Sequence, residues 1–122
     1  MSARSEVADA LATAVPEARV IGYAKAIDNM PPGQPVIMVY RENVVPSVIQ
    51  GTRTETLVVW VATNVTDPEK ADDTVDPFLD RVLAVLEGPA FQPLSWSTAE
   101  REALADAWPA YKITTTIQTK KE

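Results

Sequence analysis

A chain of 122 residues, 46% of them hydrophobic, can bury one core, and at this length folding removes roughly two-thirds of the unfolded surface from water. It contains no histidine and no cysteine, which excludes Ser-His and Cys-His relays, imidazole or thiolate metal ligands, and any disulfide framework. Eleven Lys plus Arg against seventeen Asp plus Glu give a net charge of -6, a balance that argues against nucleic acid or an anionic membrane as a direct ligand.

The chain reads as a single domain over residues 1–122. Residues Ser5 to Val15 place Val7, Leu11 and Val15 at fourfold spacing among alanines, the stripe of a short amphipathic helix that Pro16 ends. Arg19 to Tyr23 is a brief β-prone run, and AIDNMPPGQP after it, with three prolines and a glycine, predicts an exposed loop. PVIMVYR (Pro35 to Arg41) reads as a strand. TETLVVWVAT (Thr54 to Thr63) does too, and because both its odd and its even positions are mostly apolar it belongs mid-sheet, covered on both faces. Between the two lies ENVVPSVIQGTR, where Pro46 cannot occupy a central ladder and Gly51 suits a tight reversal. The reading is a long hairpin whose outer part projects from the body, kept off the central sheet by these two residues. Its apolar tip carries Val44, Val45, Val48 and Ile49, flanked by Gln50 and Arg53, and these six residues are the candidate interface with a partner.

The next segment, DPEKADDTVDPFLDRV, crowds six carboxylates into sixteen residues. Val75, Phe78, Leu79, Val82, Leu83 and Leu86 share one side of a 3.6-residue period, while Glu69, Asp73, Asp76, Asp80 and Glu87 share another, so the carboxylates form the wet stripe of an amphipathic helix. Pro77 costs least at a first helical position, which makes Asp76 the predicted cap of a helix from Pro77 to Glu87, ended by Gly88-Pro89. A divalent cation on Asp73, Asp76 and Asp80 is the weaker alternative, because a one-helix carboxylate stripe lacks the glycine-bearing loop that wraps calcium. LSWSTAEREALADA is ambiguous: Ser97 and Glu100 have capping-box spacing, yet Leu94, Trp96 and Thr98 alternate like a strand. AYKITTTIQTK (Ala110 to Lys120) alternates cleanly and predicts a half-buried strand.

The remaining chemical signals are sparse. The four glycines are too dispersed for a phosphate-cradling loop, and no acid lies two positions before any of the five lysines, so the acid-x-lysine arrangement of magnesium nucleases is absent. Trp60, Trp96 and Trp108 each lie in or beside a strand-like run and read as packing residues. The longest apolar runs are too short to span a bilayer, and the first residues carry acids with no apolar signal-peptide core, so a cytosolic chain is expected and Asn64-Val65-Thr66 is a chance glycosylation pattern. The expected fold is α+β, a mixed or antiparallel sheet of four to five strands packed by two helices, with a projecting β-hairpin. No catalytic, cofactor-binding or metal residue is assigned.

The succession of a short helix, a VIGYA strand, a Pro-rich loop, PVIMVYRENVVPSVIQGTRTETLVVWVATNVTDPEKADDTVDPFLDRVLAVLE and a final WPAYKITTTIQT strand resembles the tail terminator proteins of long-tailed, siphovirus-like bacteriophages. It is similar in particular to terminators and related neck proteins of phages of Actinobacteria. The most specific part is QGTRTETLVVWVATN followed by DPEKADDTVDPFLDRVLAVLE, with Pro77 departing from the more helix-favouring residues of that pattern. The resemblance implies a structural, non-catalytic subunit that forms a ring, usually six-fold, on the tail tube, stops its polymerisation and presents a surface to the head. Its implied partners are other copies of itself, the tail tube protein and the head-tail connector protein, with DNA passing through the ring without specific binding and no membrane or cofactor involved. Its implied place is the head-proximal end of the virion tail, after assembly in the host cytoplasm. Two other classes are open: a different head-tail connector or neck ring, and a small-ligand-binding α+β domain, for which the sequence offers no convergent polar set.

Overall fold

The computed structural model describes residues 3–22, 35–46, 51–63, 68–88, 95–104 and 108–120. In chain order these form α1 (Ala3–Ala14), β1 (Arg19–Ile21), β2 (Val36–Pro46), β3 (Thr52–Ala62), α2 (Pro68–Leu86), β4 (Ser95–Leu104) and β5 (Trp108–Lys120). The strands make one open five-stranded sheet in the order β1-β2-β3-β5-β4. β1 runs parallel to β2, and every other pairing is antiparallel. The fold is therefore α+β, with a mixed sheet and two helices. No helix among the described residues is long and apolar enough to cross a membrane.

The central place of β3 follows from its sequence. From Leu57 to Ala62 every residue is buried. Successive side chains of a strand point to opposite faces, so a run of this kind needs cover on both. On one face Leu57, Val59 and Val61 join Ile37, Val39 and Ile113 in the main core, which the helices close with Val7 and Leu11 of α1 and Val75, Val82 and Leu86 of α2. On the other face Val58, Trp60 and Ala62 pack with Ile21, Val36, Met38 and Ala110 in a second, smaller cluster. There the indole Nε1 of Trp60 donates to the Tyr40 hydroxyl at 3.1 Å, and the Lys112 ammonium lies 5.9 Å from the indole ring centroid.

The helix α1 is alanine-rich, buries Val7 and Leu11, and stops two residues before Pro16. Its last turn holds no basic residue of its own. Arg81 of α2 supplies one: its guanidinium donates to the Ala14 carbonyl at 2.8 Å and grips both carboxylate oxygens of Glu17. One side chain thus satisfies an orphan carbonyl at a helix end and ties the two helices together. The hydrogen bond from Arg81, aided by the backbone and by the guanidinium charge, holds the Glu17 carboxyl below its ordinary value of 4.5. A carboxyl depressed in the folded state stabilises the fold above its unfolded pKa and loses that contribution as the pH falls through its folded pKa. Arg81→Ala is therefore expected to lower the melting temperature at pH 7, and the gap from the parent should narrow as the pH falls below about 4.5. Thermal melts of both chains from pH 7 to pH 3 check this; a gap independent of pH would mean that Arg81 acts only through the Ala14 carbonyl and its packing on Phe78.

The structure corrects one sequence expectation about these elements and resolves one ambiguity. Helix α2 begins at Pro68, not at Pro77, so Pro77 sits inside it and Asp76 is a mid-helix residue and not a cap. A proline there removes the amide that would bond the Asp73 carbonyl. The helix continues because Val75, ahead of the proline, lies on the same buried stripe as Val82 and Leu86, while Asp73, Asp76 and Pro77 all face water, where a released carbonyl can be hydrated. The ambiguity resolves in favour of the alternation: residues 95–104 form a strand, so the capping-box spacing of Ser97 and Glu100 starts no helix. Ser97 falls at a bulge between the pairs Trp96↔Thr115 and Thr98↔Thr114, and its hydroxyl donates to the Thr114 carbonyl at 3.3 Å.

Candidate functional site

The candidate interface lies at the far end of β2 and β3. β2 is longer than its sequence suggested, running through Pro46, and it pairs with β3 as far as Pro46↔Arg53. A bulge between Arg41 and Asn43 leaves Glu42 without a partner in that ladder. Gly51 follows the segment joining the strands and has φ +84°, a left-handed conformation that a side chain would strain.

The registers show what projects. β1 ends at the pair Ile21↔Met38, and β4 ends its ladder at Ser95↔Thr116, level with Thr56 of β3. Beyond those points three strands continue together: β2 from Asn43 to Pro46, β3 from Glu55 back to Thr52, and β5 from Ile117 to Lys120. The expectation that Pro46 and Gly51 hold a two-stranded arm off the central sheet is thereby corrected. β3 stays in the ladder on both sides, through Thr54↔Gln118, Arg53↔Thr119 and Thr52↔Lys120, and the projection is a three-stranded tongue. Pro46 is accommodated as the last residue of β2, beyond β1, where no strand lies on its outer side among the described residues.

The predicted residues divide as follows. Val45, paired with Thr54, is 47% exposed and is the one large hydrophobic residue left that open among the described residues. Val44, opposite Glu55, is half-buried, and Arg53, opposite Pro46, is exposed. Val48, Ile49 and Gln50 lie outside the described residues. At the root of the tongue the Glu55 carboxylate is buried and accepts from Arg41 at 3.4 Å. The pair links β2 to β3 beside the bulge, and with the arginine half-exposed it contributes little to stability. The sequence reading missed the contribution of β5. Its signal was the clean alternation of residues 110–120, which runs as far as the tongue does, but no local pattern tells which strand it will pair with.

The acidic helix stripe offers little chemistry. Asp73, Asp76 and Asp80 are all exposed, and no group of three or more acidic side chains placed to hold a metal ion occurs among the described residues. Trp60 is buried and Trp96 half-buried against the main core, so both are used in packing. No protein-family model matches the chain, and no curated protein matches it at a significant level.

Proposed function

We propose that this protein is a structural ring subunit of the tail-terminator type, which occupies the head-proximal end of a phage tail tube, stops its growth and offers a surface for head joining. The observation that carries the reading is the three-stranded tongue, which extends past both sheet edges and bears Val45 exposed beside Val44, Pro46 and Arg53. An exposed valine and proline on a projecting three-stranded tongue suit contact with a neighbouring subunit or a tube protein. The chain's order of helix, short strand, long hairpin, helix and final strand fits the resemblance that suggested this class. Its net charge of -6 suits an annulus through which DNA slides without adsorbing. In this reading the protein binds stoichiometrically and catalyses nothing, and repetition of one surface around a ring lets weak contacts add.

Adding purified protein to an extract of a phage lysate that lacks it tests the proposal. Restoration of head joining should rise with added protein and saturate at a small fixed number of copies per tail. Restoration by far fewer copies than tails would overturn a capping role. Within this reading Val45→Asp should weaken capping strongly while the monomer unfolds within about 0.5 kcal/mol of the parent, as exposed surface substitutions do. Capping assays beside urea unfolding check both halves, and full capping by the variant would remove Val45 from the interface.

A further inference from the structure

The face of the sheet opposite the helices changes character along its length. Over the body it carries the apolar cluster of Val36, Met38, Val58 and Trp60. Towards the tongue the same face turns hydroxyl-rich. Thr56 lies two residues from Val58, and its partners Asn43 and Thr116 share its face, as does Ser95 opposite Thr116. One row nearer the tip stand Val45, Thr54 and Gln118, and one row nearer the body Thr114 and Thr98 continue the patch.

None of these positions carries a charge. The patch ends at the Glu100↔Lys112 pair towards the body and at Thr52↔Lys120 towards the tip. Arg41 and Glu55 pair with Leu57 and Ile117, and Arg53 lies two residues from Glu55, so these charges stand on the helix-bearing face; Glu42, at the bulge, belongs to neither row. Asn43, Val45, Ser95 and Thr98 are exposed, and the other residues of the patch are half-buried. The Ser95 and Thr116 hydroxyls meet at 3.2 Å, whereas among the described residues those of Thr54, Thr56 and Thr114 bond to no other side chain and are open to a partner. Strands about 4.8 Å apart, with about 6.8 Å between same-face residues, give each position about 33 Å², so the patch spans on the order of 300 Å². Stable protein pairs bury about 800 Å² on each side, so this patch is too small to hold a second copy by itself. Duplex DNA draws its affinity from Lys and Arg, which the patch lacks. What it fits is an uncharged, hydrogen-bonding protein surface that gathers several copies at once, so that small contacts add.

We infer that the protein seats on the end of the tail tube through this uncharged face, with Val45 as its apolar element, against a tube surface that is itself uncharged. The inference rests on the ring reading above for the tube end, which supplies the repetition, and adds which face of the tongue meets it. Val44 and Arg53, on the other face, take no part. A contact without charges is not screened, so it holds in high salt.

Binding of the labelled full chain to tail tubes isolated from lysates that lack it tests this, with circular dichroism confirming the fold of each variant. Thr56→Lys and Thr98→Lys place a charge in the patch and should each weaken binding roughly tenfold or more. Thr98 is exposed, so its variant reports on the contact even where Thr56→Lys disturbs the fold. Arg53→Glu should bind like the parent, whose affinity should change less than about twofold between about 0.1 and 1 M salt. Lysine variants that bind like the parent, loss of binding in Arg53→Glu, or steep salt dependence would each overturn the face assignment and leave the ring reading to another surface. So would a parent that assembles without tubes, or retains duplex DNA, in a way the lysine variants abolish, since the patch would then belong to a second copy or to DNA. A parent that does not bind tube ends overturns both.

Discussion

Leu57→Ala and Trp60→Ala are each expected to destabilise the protein strongly, by about 2–5 and about 3–5 kcal/mol, although their side chains point to opposite faces of β3. Leu57 is fully buried beneath the two helices in the main core. Trp60, at 8% exposure, anchors the second cluster, and its loss also strips the Tyr40 hydroxyl of a hydrogen-bond partner and the Lys112 ammonium of an aromatic face. Against a total stability of about 5–15 kcal/mol, either change is severe. Urea unfolding should show a lower midpoint with an unchanged slope in both variants. A strand covered on one face alone would make one of the two substitutions nearly neutral.

Pro77→Ala should act in the other direction, raising stability by on the order of 2 kcal/mol. Proline inside a helix is about 3 kcal/mol worse than alanine, and the greater freedom of the unfolded alanine chain returns about 0.4–1 kcal/mol of the difference. The new amide at position 77 could donate to the Asp73 carbonyl, and because position 77 is exposed no packing is lost. If the helix began at Pro77 the substitution would be neutral or destabilising, since proline is favourable at a first helical position. The same urea series decides the matter.

These three residues also show how far the sequence could be read. β3 was legible because apolar residues at both parities leave a strand no wet face, and α1 and β5 because their periods are clean. The start of α2 was misplaced because proline at a first position is the commoner arrangement, yet Val75 already lay on the buried stripe ahead of Pro77 and argued for the longer helix. Pro68 fills the first-position role nine residues earlier. For residues 95–104 a capping box and a strand alternation coexisted, and what settled the matter is pairing with β5, a contact between segments that no local pattern encodes. The tongue was half visible for the same reason. The hairpin of β2 and β3 is local and was expected, whereas the third strand arrives from the far end of the chain. No signature of residue type marks the candidate interface, which depends on where the edges of the sheet stop.

The capping role proposed above is tested most directly by the length distribution of tail tubes in lysates of a phage grown without this protein, measured by electron microscopy. The account predicts filled heads without tails beside tubes that are longer than normal and irregular in length. Tubes of normal, uniform length that merely fail to join heads would contradict it and assign the protein to the connector side of the joint, and intact infectious particles would remove it from the tail altogether.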